Sequence, residues 1–235
     1  MQPSRKEMCF SDLKLRILKT ELEPGSDLDE ASLASQYGLS RTPLREVLQR
    51  LAGGGYLQLA ENRGAKVASM DISTLRTFFQ TAPMVYANIS RLAAENRTEQ
   101  QLVVLQSVQD EFAKLTRAEE AAAVSLANHR FHALIGEMAH NPYLSASLDR
   151  LLIDHTRLSQ TFFRPRSDED SDLVQCACAQ HQALIAAIAA QDGTRAVELT
   201  LQHWDLSRHR MARFVRPDPL PLAVSVSAEE EHHAI

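Results

Sequence analysis

The chain has 235 residues, of which 44% are hydrophobic and 23% charged, a composition typical of a globular protein with two modest domains. No apolar run approaches the roughly 20 residues that span a bilayer, and the N-terminus lacks the apolar stretch of a signal peptide, so we expect a cytoplasmic protein without membrane contact. The three cysteines, Cys9, Cys176 and Cys178, are odd in number and lack framework spacing, which argues against a disulfide scaffold.

The formal net charge of −5 disfavours a uniformly basic protein, but the charge is unevenly distributed. Residues 21–30 carry five acids and no base, whereas residues 38–66 carry five Lys or Arg against two Glu. Because phosphate binding requires one basic face and not a basic protein, the second segment is a candidate for DNA binding.

Two helices are predicted before residue 40. The first covers residues 8–22 and is broken by Pro24-Gly25. The second covers residues 30–37, with Asp29 as its N-cap and with Gly38 at its exit, where a left-handed backbone is required.

A third helix is predicted to begin after Ser40 and to stop at the glycines that start with Gly53. Apolar residues repeat at i, i+3, i+4 and i+7, which predicts a buried side formed by Leu44, Val47, Leu48 and Leu51. The same register leaves outward Arg41, Thr42, Arg45 and Gln49.

Two strand-like pieces follow, at residues 56–60 and 65–69, with Arg63 and Gly64 at the turn between them. Two short helices joined by a tight turn and followed by a hairpin predict a winged helix-turn-helix. In such a motif the helix enters the major groove, where Arg can bind guanine, and an Arg at the wing tip can enter the minor groove.

The alternative interpretation is a solvated helix face, in which Arg41 and Arg45 form ion pairs with Glu46 or with the acidic segment 21–30. The run EPGSDLDEASLASQYGLSRTPLREVLQRLAGGGYLQLAENRGAKV resembles the winged helix-turn-helix of the GntR family of bacterial regulators. The resemblance implies that Arg41, Thr42 and Arg45 contact bases and phosphates, together with Arg63 and Gly64 in the wing, and it favours DNA binding over the solvated face.

Six long helical segments are predicted after residue 71, without an intervening strand pattern, so the second domain is expected to be an all-α bundle. We therefore expect a mainly α protein with a DNA-binding domain at residues 1–70, an effector-binding and dimerisation domain at residues 71–217, and a flexible tail at residues 218–235.

Four polar residues of this second domain form a candidate metal site. Asn128 and His132 lie four residues apart on one helix face, and His181 and His203 lie on the fifth and sixth segments. Three imidazoles and an amide oxygen suit a divalent ion, with zinc, nickel or manganese favoured. The alternative is that these histidines are ordinary buried polar residues.

The pieces NHRFHAL, NPYL, HQALIAAIAAQD and LQHW resemble the FCD effector domain of the FadR subfamily of GntR regulators, in its six-helix, VanR-like form. Many members of this class hold a metal with an Asp and three His, so the resemblance implies Asn128, His132, His181 and His203 as ligands. Asn128 departs from the family pattern because an acid is common there, which leaves the full charge of the metal available to an anionic ligand.

The first helix of this domain also departs from the family, because TAPMVYANIS stands where members often carry an Arg and a Glu. Tyr86 on this segment and Arg157 on the fourth segment are candidate effector-binding residues, although Arg157 could equally be a surface residue.

These observations predict a homodimeric transcription regulator that binds a near-palindromic, double-stranded operator and is modulated by a small carboxylate effector, bound at the metal. Two alternatives remain at this point: a metal-dependent hydrolase and a helical interaction module whose histidines are structural. No H-E-x-x-H, Gly-rich phosphate loop or Ser-elbow motif supports an enzyme.

Overall fold

The computed structural model of the chain describes residues 3–60, 64–118, 120–165 and 167–215, with the side chains of all of these except Ala60 and residues 207–215. Arg63 and the predicted tail at residues 218–235 therefore lie outside the described residues. The fold is mainly α, as predicted.

The N-terminal part contains three helices and one hairpin: α1 (Arg5–Leu18), α2 (Glu30–Tyr37), α3 (Arg41–Gly53), β1 (Leu57–Ala60) and β2 (Gly64–Val67). The strands are antiparallel, and Leu57 is opposite Val67 in the register. This arrangement is the predicted winged helix-turn-helix.

Local capping explains where the first two helices begin and end. The prediction for α1 was shifted by about one turn, because the Ser4 side chain accepts a hydrogen bond from the Glu7 backbone and starts the helix early. The prediction for α2 is confirmed: the Asp29 carboxylate accepts from the backbone of Ala31 and Ser32, and Gly38 ends the helix at φ 59°.

Helix α3 begins after Ser40, whose backbone is extended as an N-cap requires but whose side chain makes no capping hydrogen bond. All four apolar residues expected on its inner side are buried: Leu44, Val47, Leu48 and Leu51. They pack against Leu13 and Ile17 of α1, so α1 and the helix-turn-helix share one core.

The C-terminal part contains the six predicted helices: α4 (Ile72–Asn96), α5 (Glu99–Arg117), α6 (Ala121–Met138), α7 (Pro142–Phe162), α8 (Asp168–Ala189) and α9 (Gly193–Val215). A capping box at Thr98 starts α5, and the Asn141 side chain caps α7 just before Pro142. None of the helices among the described residues has the length and apolar character needed to cross a membrane.

The six helices enclose a main core that contains the fully buried Leu105, Phe131 and Ile188, from α5, α6 and α8. Helix α4 packs most extensively against α9, and α6 against α7. The aligned inner faces of α6, α8 and α9 bring distant parts of the sequence to one place inside the bundle.

Helix α7 joins the bundle to the winged helix-turn-helix. Ile153 is fully buried in the N-terminal core, and the Gln160 amide donates to the Leu18 carbonyl at 3.3 Å. The Arg157 guanidinium donates to the carbonyl of Ala68, at 2.7 Å, in the segment that links β2 to α4. The N-terminal part therefore rests on one helix of the bundle through both apolar and polar contacts.

Candidate DNA-reading surface and candidate metal centre

The outer face of α3 carries the residues expected to contact DNA. Arg41, Thr42, Arg45 and Gln49 are all exposed, whereas the apolar residues on the other side of the helix are buried. These four side chains lie on the exposed face of α3, and the opposite face of the helix is packed in the N-terminal core. Their contacts with DNA remain a prediction.

The ion pairs near α3 leave most of this positive charge free. Arg45 lies 4.0 Å from Glu30, at the limit of an ion pair, and its side chain is 71% exposed. Glu46 pairs with Lys6, and Arg41 makes no ion pair or hydrogen bond with any residue that the structure describes. The alternative, in which nearby acids neutralise the arginines of α3, is therefore supported only by the weak contact between Arg45 and Glu30.

The hairpin lies beside this helix face. Gly64 has φ 76°, a backbone conformation that favours glycine, and it lines a groove of about 670 Å³ with Glu30, Arg45 and Gln49. Arg63 precedes Gly64 and lies outside the described residues, so its place at the wing tip remains a prediction.

Three histidines meet inside the bundle from three helices. His132 of α6, His181 of α8 and His203 of α9 each offer a ligand atom within 4.8 Å of the others. The first two are buried, and His203 is 9% exposed. Asn128 is also buried and lies one helical turn before His132 on α6, on the side that faces this cluster. The structure thus brings together the three histidines predicted for the metal site, and the part of Asn128 as a fourth ligand remains a prediction.

Two glutamines orient two of the imidazoles. The Nδ1 of His181 lies 3.0 Å from the Gln109 side-chain oxygen, and the Nδ1 of His203 lies 2.9 Å from that of Gln180. Because an amide oxygen only accepts hydrogen bonds, each Nδ1 carries the proton, and each Nε2 keeps a free lone pair. This is the tautomer in which a histidine binds a metal through Nε2.

Several polar atoms of the cluster lack a partner. The Asn128 Oδ1, the His132 Nε2 and the His181 Nε2 are buried and have no hydrogen-bond partner among the described residues. A buried polar group without a partner costs about 1–3 kcal/mol. Three histidines whose ligand atoms lie close together, with unpartnered buried polar atoms on His132, His181 and the nearby Asn128, are the kind of ligand set that a divalent cation binds, so the residues present fit a metal.

The environment also keeps these imidazoles neutral. Burial lowers the pKa of His132 and His181 well below its usual value, and the neighbouring histidines lower it further. Burial lowers the pKa of His203 to about 4. Since only a neutral imidazole coordinates a metal, all three histidines are in the binding form at neutral pH.

Tyr86, predicted to contact an effector, lies at the edge of the cluster. Its ring centroid is 5.3 Å from that of His132, and its hydroxyl lies 2.7 Å from the Nδ1 of His155. Burial raises the pKa of Tyr86 well above its usual value, with a further contribution from Asp154. The tyrosine is therefore a neutral hydrogen-bonding group beside the histidines, and its contact with an effector remains a prediction.

Arg157 is buried, so the alternative of a surface residue is wrong, while its contact with an effector remains a prediction. Its side chain is fully buried in an ion pair with Asp154. The same guanidinium donates to the Ala68 carbonyl. An effector carboxylate would have to compete with Asp154 for this arginine, which lies at the contact between the two parts of the chain.

Sequence reasoning missed the supporting residues of the cluster, namely Gln109, Gln180 and His155. No local motif marks them. Gln109 approaches His181 only because α5 packs against α8, across 72 residues of sequence. A search for amides on helices adjacent to the histidine-bearing ones could have found candidates, but not the pairing.

Comparisons with known proteins identify the family of the chain and agree with its fold. The model of the FCD domain matches residues 84–206, more than half of the chain, and that of the gntR family of bacterial regulatory proteins matches residues 6–67. The Nta operon transcriptional regulator of Aminobacter aminovorans is 33% identical over 99 residues, or 41% of this chain. That match spans 47% of the relative, so the chain covers about half of its length.

The Glc operon transcriptional activator of Escherichia coli K12 is similar over a longer span, with 26% identity over 250 residues, covering 92% of this chain and 98% of the relative. The solved structure of E. coli McbR/YncC has the same fold, with a TM-score of 0.77 and 21% identity, and covers 92% of this chain and 100% of that one.

These relatives are transcription regulators and not enzymes, which rules against the hydrolase alternative. The chain belongs to the GntR family of bacterial regulatory proteins, in the class that carries an FCD domain.

Proposed function

We propose that this protein is a transcription regulator that binds operator DNA through α3 and its wing, and that responds to a metal-bound effector in its helical bundle. The observation that carries the proposal is the convergence of three histidines inside the bundle together with buried polar atoms that lack a partner. Asn128 Oδ1 and the Nε2 atoms of His132 and His181 have no hydrogen-bond partner among the described residues, and neutral histidines surround them.

The DNA-binding part of the proposal depends on the exposed face of α3. Arg41 is free of ion pairs with the described residues, Arg45 is held only at 4.0 Å from Glu30, and Thr42 and Gln49 are exposed. We propose that these side chains read bases and phosphates in the major groove while Arg63 and Gly64 approach the minor groove. A homodimer would carry two such winged helix-turn-helix domains and would therefore recognise a near-palindromic operator.

The metal part of the proposal assigns Asn128, His132, His181 and His203 as ligands of one zinc, nickel or manganese ion. Such an ion would supply positive charge and open coordination positions. Asn128 contributes an oxygen without a charge, so the ligand set leaves the full charge of a divalent ion uncompensated. We therefore propose that the effector is a small carboxylate, with the neutral Tyr86 hydroxyl beside it.

Helix α7 provides a route from this site to the DNA-binding part. His155 contacts Tyr86, and its ring centroid is 5.1 Å from that of His132. Two residues later on the same helix, Arg157 holds the carbonyl of Ala68, just before α4. We propose that a shift of the histidine cluster moves α7 and thereby changes the relative orientation of the two winged helix-turn-helix domains in a dimer. We propose this role for Arg157 in addition to the predicted contact with an effector.

The direct test combines metal analysis with DNA binding on the full chain. We expect about one divalent ion per chain, a dimeric mass in solution, and selection of a two-fold related sequence from a random duplex library. Metal removal or addition of a candidate carboxylate should change the affinity for that sequence. A monomer that selects no sequence would contradict the regulator, whereas a metal-free preparation that still selects one would contradict only the metal centre.

A further inference from the structure

A cavity lies at the side of the bundle, away from the histidine cluster. It has a volume of about 590 Å³, within the range of small-molecule sites, and it is enclosed by α5, α6, α8 and the segment that follows α7. Asn128, His132, His181 and His203 do not line it. Its lining includes Thr116, Arg117, Val124, Phe163, Gln175 and Cys178.

The lining has the character of a site for an amphipathic anion. Val124, Val174 and Phe163 provide an apolar wall, and Thr116 and Gln175 provide hydrogen-bonding groups. Among the lining residues that the structure describes, Arg117 carries the only charge, and it forms no ion pair or hydrogen bond with a described residue. An anion with an apolar body satisfies both the wall and a guanidinium that has no ion pair with the described residues.

We propose that this cavity is a second ligand site, distinct from the metal centre, that binds a small organic anion with an aromatic or branched apolar body. The polar end of the ligand lies towards Arg117 and its apolar part lies against Phe163 and Val124. None of the proposed metal ligands takes part in binding at this site.

One side chain connects the cavity to the histidine cluster. The Gln109 amide nitrogen donates to the Cys178 carbonyl at 3.1 Å and lies 3.6 Å from its sulfur, while the Gln109 oxygen accepts from His181. Cys178 and His181 are three residues apart on α8, on one face of the helix. A ligand against Cys178 therefore acts on the glutamine that orients His181, and this coupling rests on the proposed metal function.

The first test uses 8-anilinonaphthalene-1-sulfonate, an aromatic anion that fluoresces in apolar sites, with the full chain. Gln175 is exposed on α8 at the cavity wall, so Gln175→Trp should block the cavity without disturbing the core and should abolish the saturable signal. Ala179→Trp is its control, because Ala179 is exposed on the same helix but does not line the cavity. Arg117→Gln should weaken binding by roughly tenfold, the loss of one charge-assisted hydrogen bond, while Lys114→Gln should not.

The second test measures the reaction of the cysteines with N-ethylmaleimide by mass spectrometry. Bound 8-anilinonaphthalene-1-sulfonate should slow the modification of Cys178 and leave that of the exposed Cys176 unchanged. Equal binding by wild type and Gln175→Trp, or no protection of Cys178, would overturn the second site. The metal content of Gln175→Trp, measured in parallel, should equal that of wild type, so a failure here is distinguishable from a failure of the metal centre.

Discussion

The two parts of this chain place their candidate functional residues in opposite environments. The winged helix-turn-helix exposes Arg41, Arg45 and Gln49 on one face of a single helix, whereas the bundle buries His132 and His181 on separate helices. The first surface exists as soon as α3 folds on its core. The second exists only when three helices, separated by many residues, pack together. A mutation should therefore affect only its own contact in the first part, whereas in the second part its effect should depend on the packing of the whole bundle.

The largest effect is expected at the histidine cluster. His132→Ala, His181→Ala and His203→Ala should each abolish stoichiometric metal binding, because each removes one of three imidazole ligands that converge at one place. Metal content per chain, measured by inductively coupled plasma mass spectrometry after gel filtration, reports the result. His140→Asn is the control, since His140 is exposed and has a positive φ that Asn tolerates. Retention of the metal by any two of the three alanine variants would contradict the assignment.

The next largest effect is expected where the two parts meet. Arg157→Met should lower the free energy of unfolding by about 3–5 kcal/mol, because it leaves the Asp154 carboxylate buried without its main partner. Arg150→Gln is the matched control: Arg150 also contacts Asp154, at 3.4 Å, but its side chain is 46% exposed, so a loss of under about 1 kcal/mol is expected.

Chemical denaturation of the full chain measures both changes. Arg157→Met combined with Asp154→Leu should recover most of the lost stability, because no buried charge is left unpaired. A double variant as unstable as Arg157→Met alone would show that the contact with Ala68, and not the ion pair, holds the two parts together.

Some features of the fold and of the candidate site could be predicted from the sequence, and others could not. Asp29 and Gly38 were identified as helix ends because capping depends on residues within one turn, and Asn128 and His132 were paired because four residues separate them on a helix. The convergence with His181 and His203 was only one of two interpretations of the spacing, and the family resemblance favoured it over ordinary buried histidines. The burial of Arg157 could not be predicted, because the Ala68 carbonyl that it contacts is 89 residues away and only the packing of α7 brings them together.

A smaller effect is expected on the exposed face of α3. Arg41→Ala and Arg45→Ala should each reduce affinity for the selected operator by about 1–3 kcal/mol if the arginine is bidentate to guanine, with unchanged stability of the fold. Fluorescence anisotropy with a labelled duplex measures the loss. Arg50→Ala is the control, because Arg50 is paired with Glu7 at 2.7 Å and stacks on Phe10. Wild-type affinity in both variants would show that α3 is not the recognition helix.

The smallest change tests the charge of the metal site. Asn128→Asp should tighten the metal, since a carboxylate adds Coulomb attraction that the amide lacks, and should weaken a carboxylate effector for the same reason. Competition against a fluorescent chelator measures the first effect, and calorimetry on the metal-loaded protein measures the second. Opposite signs in the two measurements are expected, and a gain in both would show that the effector does not bind at the metal.

The most direct measurement for the central claim is the melting temperature of the metal-free chain with and without added zinc, nickel or manganese. An ion that binds only the folded protein, at a concentration about 100 times its Kd, adds about 2.7 kcal/mol of stability. For a chain of this size the increase corresponds to roughly 5–10 °C. We expect such an increase in melting temperature for at least one of the three ions, and no increase in the His181→Ala variant. Identical melting curves with and without all three ions would show that the buried histidines are structural.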